Sequence, residues 1–154
     1  MNEKIIIGKH TLESLTSGMY SDPYVVFREY IQNSVDSIDA AIKSGILMSG
    51  EDQIIVQLRP TEQEIIIRDN GTGIACNEAE KVLISIGNSQ KTSESSRGFR
   101  GIGRLAALSY CKKLVFQTSF FGESKATTIT IDADKLSDLL LDSSNVDVSV
   151  VDVL

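Results

Sequence analysis

The chain has no tryptophan, one histidine, two cysteines and two prolines in 154 residues. The lone histidine, His10, excludes a histidine-rich metal centre, and it stands in no context that would make it a triad base. Cys76 and Cys111 have no metal-ligand spacing, so two buried thiols in a reducing, cytoplasmic setting are expected. No apolar run approaches the roughly 18–20 residues of a membrane span. The first eight residues hold too short an apolar stretch for a signal peptide, and none is expected. Cations are outnumbered, 15 Lys plus Arg against 21 Asp plus Glu, for a net charge of −6. That balance lacks the footprint of a nucleic-acid binder. There is neither an internal repeat nor a low-complexity tract.

What is present suits one globular domain spanning 1–154. Hydrophobic residues make up 42% and charged residues 23%, which excludes disorder as the default. A chain of this length buries roughly 68–70% of its unfolded surface and needs no disulfide or metal staple.

Asp22-Pro23 opens the clearest element, with Asp22 suited to an N-cap and Pro23 to the first helical position. Apolar residues recur at Tyr24, Phe27, Ile31, Val35, Ile38 and Ile42, the steps of an amphipathic helix, and Gly45 is placed to end it. The β-branched runs 53–58 and 64–68, joined by 59–63, read as a hairpin. Asn77-Glu78-Ala79-Glu80 reads as a capping box starting a short helix to about Ile86. A Gly/Ser-rich loop fills 87–102, and a helix is expected from Gly103 through Leu108. Residues 114–120 and 127–131 read as strands, and Asp132 caps a short helix through Leu141. From Asp132 onward six aspartates face one lysine, which reads as a solvated acidic end. Adjacent strands without crossover helices predict an α+β sandwich with an antiparallel-rich sheet and helices on one face.

Three motifs carry chemistry. In the first, Glu29, Asn33 and Asp36 fall within roughly 60° of one another at about 100° per residue. They form a polar stripe opposite the apolar one. A solvated face accounts for this, but a carboxylate one turn from a carboxamide also suits Mg²⁺, which takes few protein oxygens. The second is Asp69-Asn70-Gly71-Thr72-Gly73-Ile74, following a strand of three isoleucines. Its glycines permit a sharp turn and a close ligand, and Asp69 can accept from an exocyclic amine. An Asx turn closing the strand is the other reading. The third is Gly98-Phe99-Arg100-Gly101-Ile102-Gly103 ahead of a helix. Glycine-rich backbone at a helix start offers an anion site, and Lys91, Arg97, Arg100 and Arg104 outweigh Glu94 around it. A surface loop is the plainer alternative. No Walker-type P-loop is present. Residues 101–106 fit a dinucleotide-binding pattern but follow a polar stretch, not the buried strand which that pattern requires.

In this order the three motifs resemble the GHKL superfamily of ATP-binding domains, which includes DNA gyrase, ninety-kilodalton heat-shock chaperones, histidine kinases and MutL-type mismatch-repair proteins. The resemblance runs from about residue 12 to about 131. Residues 28–33 and 86–91 are similar to the chaperones, and Gly98-Phe99-Arg100-Gly101 to the MutL group. It implies a Bergerat fold: a two-layer α/β sandwich with a mixed, mostly antiparallel sheet. It implies Glu29 as the general base, Asn33 as the Mg²⁺ ligand, and Asp36 lining the pocket. Asp69 would accept from the adenine amine of ATP, with Gly71 and Gly73 permitting close approach. Ser89 and Lys91 would open an ATP lid. Gly98, Arg100, Gly101, Ile102 and Gly103 would meet phosphate. Thr127 would help hold adenine, although the family usually has Gly where Ala126 stands.

The function so implied is a slow ATPase that drives lid closure and dimer-type switching, chaperone-like or mismatch-repair-like. The alternatives are a degenerate partner-binding module and, behind it, a phosphotransfer kinase. The family often draws a Lys or Arg from a following domain, so an N-terminal fragment of a longer protein is expected. ATP-dependent dimerisation through residues 1–10 is also implied. The Ser-rich 88–97 stretch suits a mobile lid. Its amides should exchange rapidly in nucleotide-free protein, and full hydrogen-exchange protection there would count against a lid.

Overall fold

A computed structural model describes residues 22–84, 103–135 and 151–153. Helix α1 (Pro23–Lys43) begins as expected: the Asp22 side chain accepts from the Tyr24 N–H at 2.9 Å, with proline at the start. It ends in a Schellman arrangement. Gly45 takes φ +73°, its N–H donates to the Ile42 carbonyl at 3.1 Å, and the Ile46 N–H donates to the Ala41 carbonyl at 2.9 Å.

The buried face of α1 is not the expected apolar stripe. Val26, Ser34, Ile38 and Ala41 are buried, whereas Tyr24 is 80% exposed and Val35 37%. At about 100° per residue the buried face lies roughly a quarter-turn from the stripe, toward Glu29 and Asn33. The cause is tertiary. Tyr30, Ser34 and Ser37 find hydrogen-bond partners on that side, and small side chains there admit a neighbouring backbone.

Strands β1 (Ile54–Arg59) and β2 (Glu64–Asp69) form the expected antiparallel hairpin, with Val56 opposite Ile67 and Leu58 opposite Ile65. Arg59 and Glu64 pair at 3.0 Å beside the turn, an exposed pair worth under about 1 kcal/mol. The hairpin is less buried than its isoleucines suggest. Ile65 is exposed, Ile66 and Ile67 are half-buried, and Val56 and Leu58 face solvent.

Helix α2 (Cys76–Ile84) starts one residue ahead of the expected capping box. Its cap comes from far along the chain. One Glu123 carboxylate oxygen accepts from the Cys76 N–H at 2.9 Å, and the other from the Phe120 N–H at 2.9 Å. The expected helix after the glycine-rich loop is a 3₁₀ helix, η1 (Gly103–Ser109).

Strands β3 (Lys113–Thr118), β4 (Thr127–Asp132) and β5 (Val151–Val153) make a second antiparallel sheet in the order β3-β4-β5. On β4, Thr127, Ile129 and Ile131 alternate inward. Strand β5 corrects the reading of the tail as a wholly solvated end: Val151 and Val153 pair with Ile131 and Ile129. Asp132 caps the next helical turn, accepting from the Lys135 N–H at 3.0 Å. Ile84, Leu105, Ile129 and Ile131 are the largest fully buried side chains, each worth about 1.5–3 kcal/mol. The expected thiol burial is not found: Cys76 is exposed and Cys111 half-buried. The α+β class holds, every described pairing is antiparallel, and α1 packs on β1, β2 and η1 while α2 packs on β3 and β4.

Glu123 gives this fold an acid-sensitive joint. Its two backbone hydrogen bonds hold its carboxyl below the ordinary glutamate value. A depressed folded pKa contributes stability above the unfolded value of about 4.3, lost as pH falls through the folded one. Glu123→Gln, which leaves one N–H without its acceptor, should therefore lower the urea midpoint at pH 7 and flatten its fall in acid. A midpoint that declines in acid as steeply in the variant as in the parent would show that Glu123 is not the joint.

Candidate functional site

The loop after β2 is tied to α1 at two points. Ser34, buried inside the helix, donates to Asp69 Oδ2 at 2.9 Å, while Asp69 Oδ1 accepts from the Gly71 N–H at 3.0 Å. One turn on, the Thr72 N–H donates to the Ser37 carbonyl at 3.2 Å. Gly71 rests on Ser37 so closely that a Cβ would lie 2.6 Å from the serine carbonyl carbon. Asn70 braces the other side: its Oδ1 accepts from the Gln53 N–H at 2.9 Å, and its Nδ2 donates to the Glu51 carbonyl at 2.8 Å. The far end meets β3, where the Ile74 N–H donates to Thr118 Oγ1 at 2.8 Å. Gly73 has φ +65° and abuts the Ser119 carbonyl. Of the two sequence readings, the Asx turn is present in the Asp69–Gly71 bond. Asp69 nonetheless stays exposed, so its outer edge remains open to a ligand amine.

The other end of α1 holds Glu29, half-buried, with its carboxylate against Gly103. A Cβ on Gly103 would lie 3.1 Å from the Glu29 carboxyl carbon and closer still to its Oε2. A side chain at 103 would displace the carboxylate end of Glu29. One residue on, the Tyr30 hydroxyl donates to the Arg104 carbonyl at 2.6 Å. Asn33 lies exposed one turn from Glu29. Asp36 is also exposed, and accepts from Gln32 Nε2 at 2.8 Å. Burial lowers the pKa of the Arg104 guanidinium, which stays a cation because guanidinium does not lose its proton in proteins.

Residues 20–149 match the family described as histidine kinase-, DNA gyrase B- and HSP90-like ATPase. The chain belongs to this family. It is 28% identical over 137 residues to the chaperone protein HtpG of Geobacter metallireducens, covering 77% of this chain and 21% of that protein. It is 27% identical over 139 residues to the DNA mismatch repair protein MutL of Aquifex aeolicus, covering 86% of this chain and 28% of that one. An HtpG of a Polaromonas species is 33% identical over 84 residues, covering 51% and 13% respectively. The chain thus spans about a fifth of that Geobacter HtpG and a little over a quarter of that MutL. The GHKL resemblance, nearest in look to the chaperone and MutL branches, is thereby shown, and the chain is an ATPase-type module.

Among the expected site residues of this ATPase-type module, Glu29 and Gly103 meet, and Asp69, Gly71 and Gly73 form one loop. Thr127 is buried at the head of β4, opposite Thr118 in register, which ties it to the same loop through Ile74. Ser89, Lys91, Gly98, Arg100, Gly101 and Ile102 lie outside the described residues. Sequence reasoning passed over Ser34, Ser37, Tyr30, Thr118 and Glu123. The signal for the serines was available: two helix-disfavouring residues at i and i+3 inside a helix invite a tertiary partner. Nothing local marks Thr118 or Glu123.

Among the described residues no group of three or more His, Cys, Asp or Glu gathers as a metal cage. The Gly73 contact yields a matched test. Gly73→Ala should cost about 1–2 kcal/mol for the left-handed backbone, plus the displacement of Ser119. Gly45→Ala, at φ +73° with nothing within 4 Å, should cost the backbone part alone. Chemical denaturation of both variants checks this, and equal losses would remove the crowding argument.

Proposed function

We propose that the protein binds Mg-ATP along the flank of α1 between Asp69 and Glu29 and hydrolyses it slowly. The observation that carries this is the pairing of both chemical ends on one helix. Ser34 anchors Asp69 and Glu29 meets Gly103, five residues or about 7.5 Å apart along the axis. Asp69 accepts the adenine amine at one end. Gly103, with the glycine-rich residues before it, meets phosphate at the other. Glu29 polarises the attacking water, positioned for the in-line chemistry that phosphoryl transfer demands. Asn33 is the side chain to hold Mg²⁺, which when bound neutralises charge on the phosphates. Asp36 lines the open rim, and Thr127 backs the adenine end.

Closure of a lid opened by Ser89 and Lys91, and dimerisation through the N-terminal segment, belong to the same proposal and rest on the sequence pattern. So does a Lys or Arg from a following domain. Chaperone-like or mismatch-repair-like switching, in the cytoplasm, is the wider role proposed.

Calorimetric titration with Mg-ATP is the test. Asp69→Asn should weaken binding by at least about tenfold, the worth of one hydrogen bond to a charged group. Glu29→Ala should keep binding and lose about 10²–10⁴ in turnover, the share of a positioned base. Wild-type protein that takes up no Mg-ATP would replace this reading with a partner-binding module of the same fold.

A further inference from the structure

The 3₁₀ form of η1 is itself unusual. It runs seven residues, Gly103–Ser109, where such runs seldom exceed three or four because their hydrogen bonds are poorly aligned. Something outside the segment must favour it. The Tyr30 hydroxyl donates to the Arg104 carbonyl at 2.6 Å across 74 residues of sequence. The bond falls on the second residue of the segment, so one hydroxyl from α1 anchors the first turn of η1.

That turn begins beside Gly103, and Gly103 lies on the Glu29 carboxylate. Glu29 and Tyr30 are consecutive on α1, so one helix turn touches the 3₁₀ segment twice. The rise per residue is about 2.0 Å in a 3₁₀ helix and 1.5 Å in an α-helix. Leu105, Ala106 and Leu108 are fixed in the core, so a change toward α form is taken up by the two residues ahead of Leu105 and shifts Gly103 by about 1 Å against Glu29. The phenol is suited to a fixed joint, because burial pushes its pKa well above the ordinary tyrosine range and keeps it a donor.

We propose that Tyr30 is a positioning residue for turnover: its hydroxyl holds η1 in the 3₁₀ form and thereby keeps Gly103 on the Glu29 carboxylate. The catalytic consequence rests on the ATPase reading above; the joint itself does not.

Tyr30→Phe removes the hydroxyl and keeps the ring. In nucleotide-free protein, NMR should show the Glu29 carboxyl carbon and the Gly103 amide shifting together. With Mg-ATP, kcat should fall about 10–100-fold, the scale of an ångström-sized misplacement, while Kd changes less than about twofold. Ile38→Val loosens the same buried face about two turns further along α1, and should leave both the resonances and kcat near wild type. Unchanged Glu29 and Gly103 resonances in Tyr30→Phe would overturn the proposal. So would a normal kcat in an active protein, equal losses in kcat and binding, or the same turnover defect in Ile38→Val. If the wild type neither binds nor hydrolyses Mg-ATP, the ATPase reading fails, and the paired resonance shift still decides whether Tyr30 holds the joint.

Discussion

The hydrogen bond from Ser34 to Asp69 joins a helix interior to a loop that no local rule would place there. A hydroxyl inside a helix is neutral at best in isolation; here it is buried and spent on a carboxylate. The bond sets which face of α1 turns inward, and that choice sets the rest. Rolled toward Ser34, the helix brings Ser37 under Gly71, Tyr30 under η1 and Glu29 against Gly103. Rolled toward the Tyr24–Ile42 stripe, it would bury more hydrocarbon and scatter every one of those contacts.

The loop so held is gripped from both sides. Serines from α1 fix its start and middle, and Thr118 and Ser119 from the end of β3 fix its finish. Glu123 then carries the restraint onward by tying the Phe120 turn to the first turn of α2. Asp69 is left with little freedom although it is exposed, which is the condition a recognition carboxylate needs: ordered by its neighbours, open to a ligand.

The glycines of the site have different surroundings. Gly73 combines a left-handed backbone with a neighbouring carbonyl, whereas Gly103 meets only the movable end of the Glu29 side chain. The two look alike in a linear motif. They separate only when the neighbours are known.

Local rules sufficed for the elements themselves. Asp22-Pro23 and Gly45 bounded α1, β-branched runs marked both hairpin strands, and the ordered spacing of Glu29, Asn33, Asp69 and Gly103 was enough to place the chain in its ATPase family. These signals are short-range or purely positional, so they survive in one dimension. The structure alone decided the roll of α1, the cap on α2, the 3₁₀ form of η1 and the addition of β5. Each depends on a partner far along the chain: Asp69 for Ser34, Glu123 for Cys76, Arg104 for Tyr30, Ile129 and Ile131 for Val153 and Val151. Periodicity weighs hydrocarbon and cannot see a hydrogen bond that has yet to find its partner; folding weighs both.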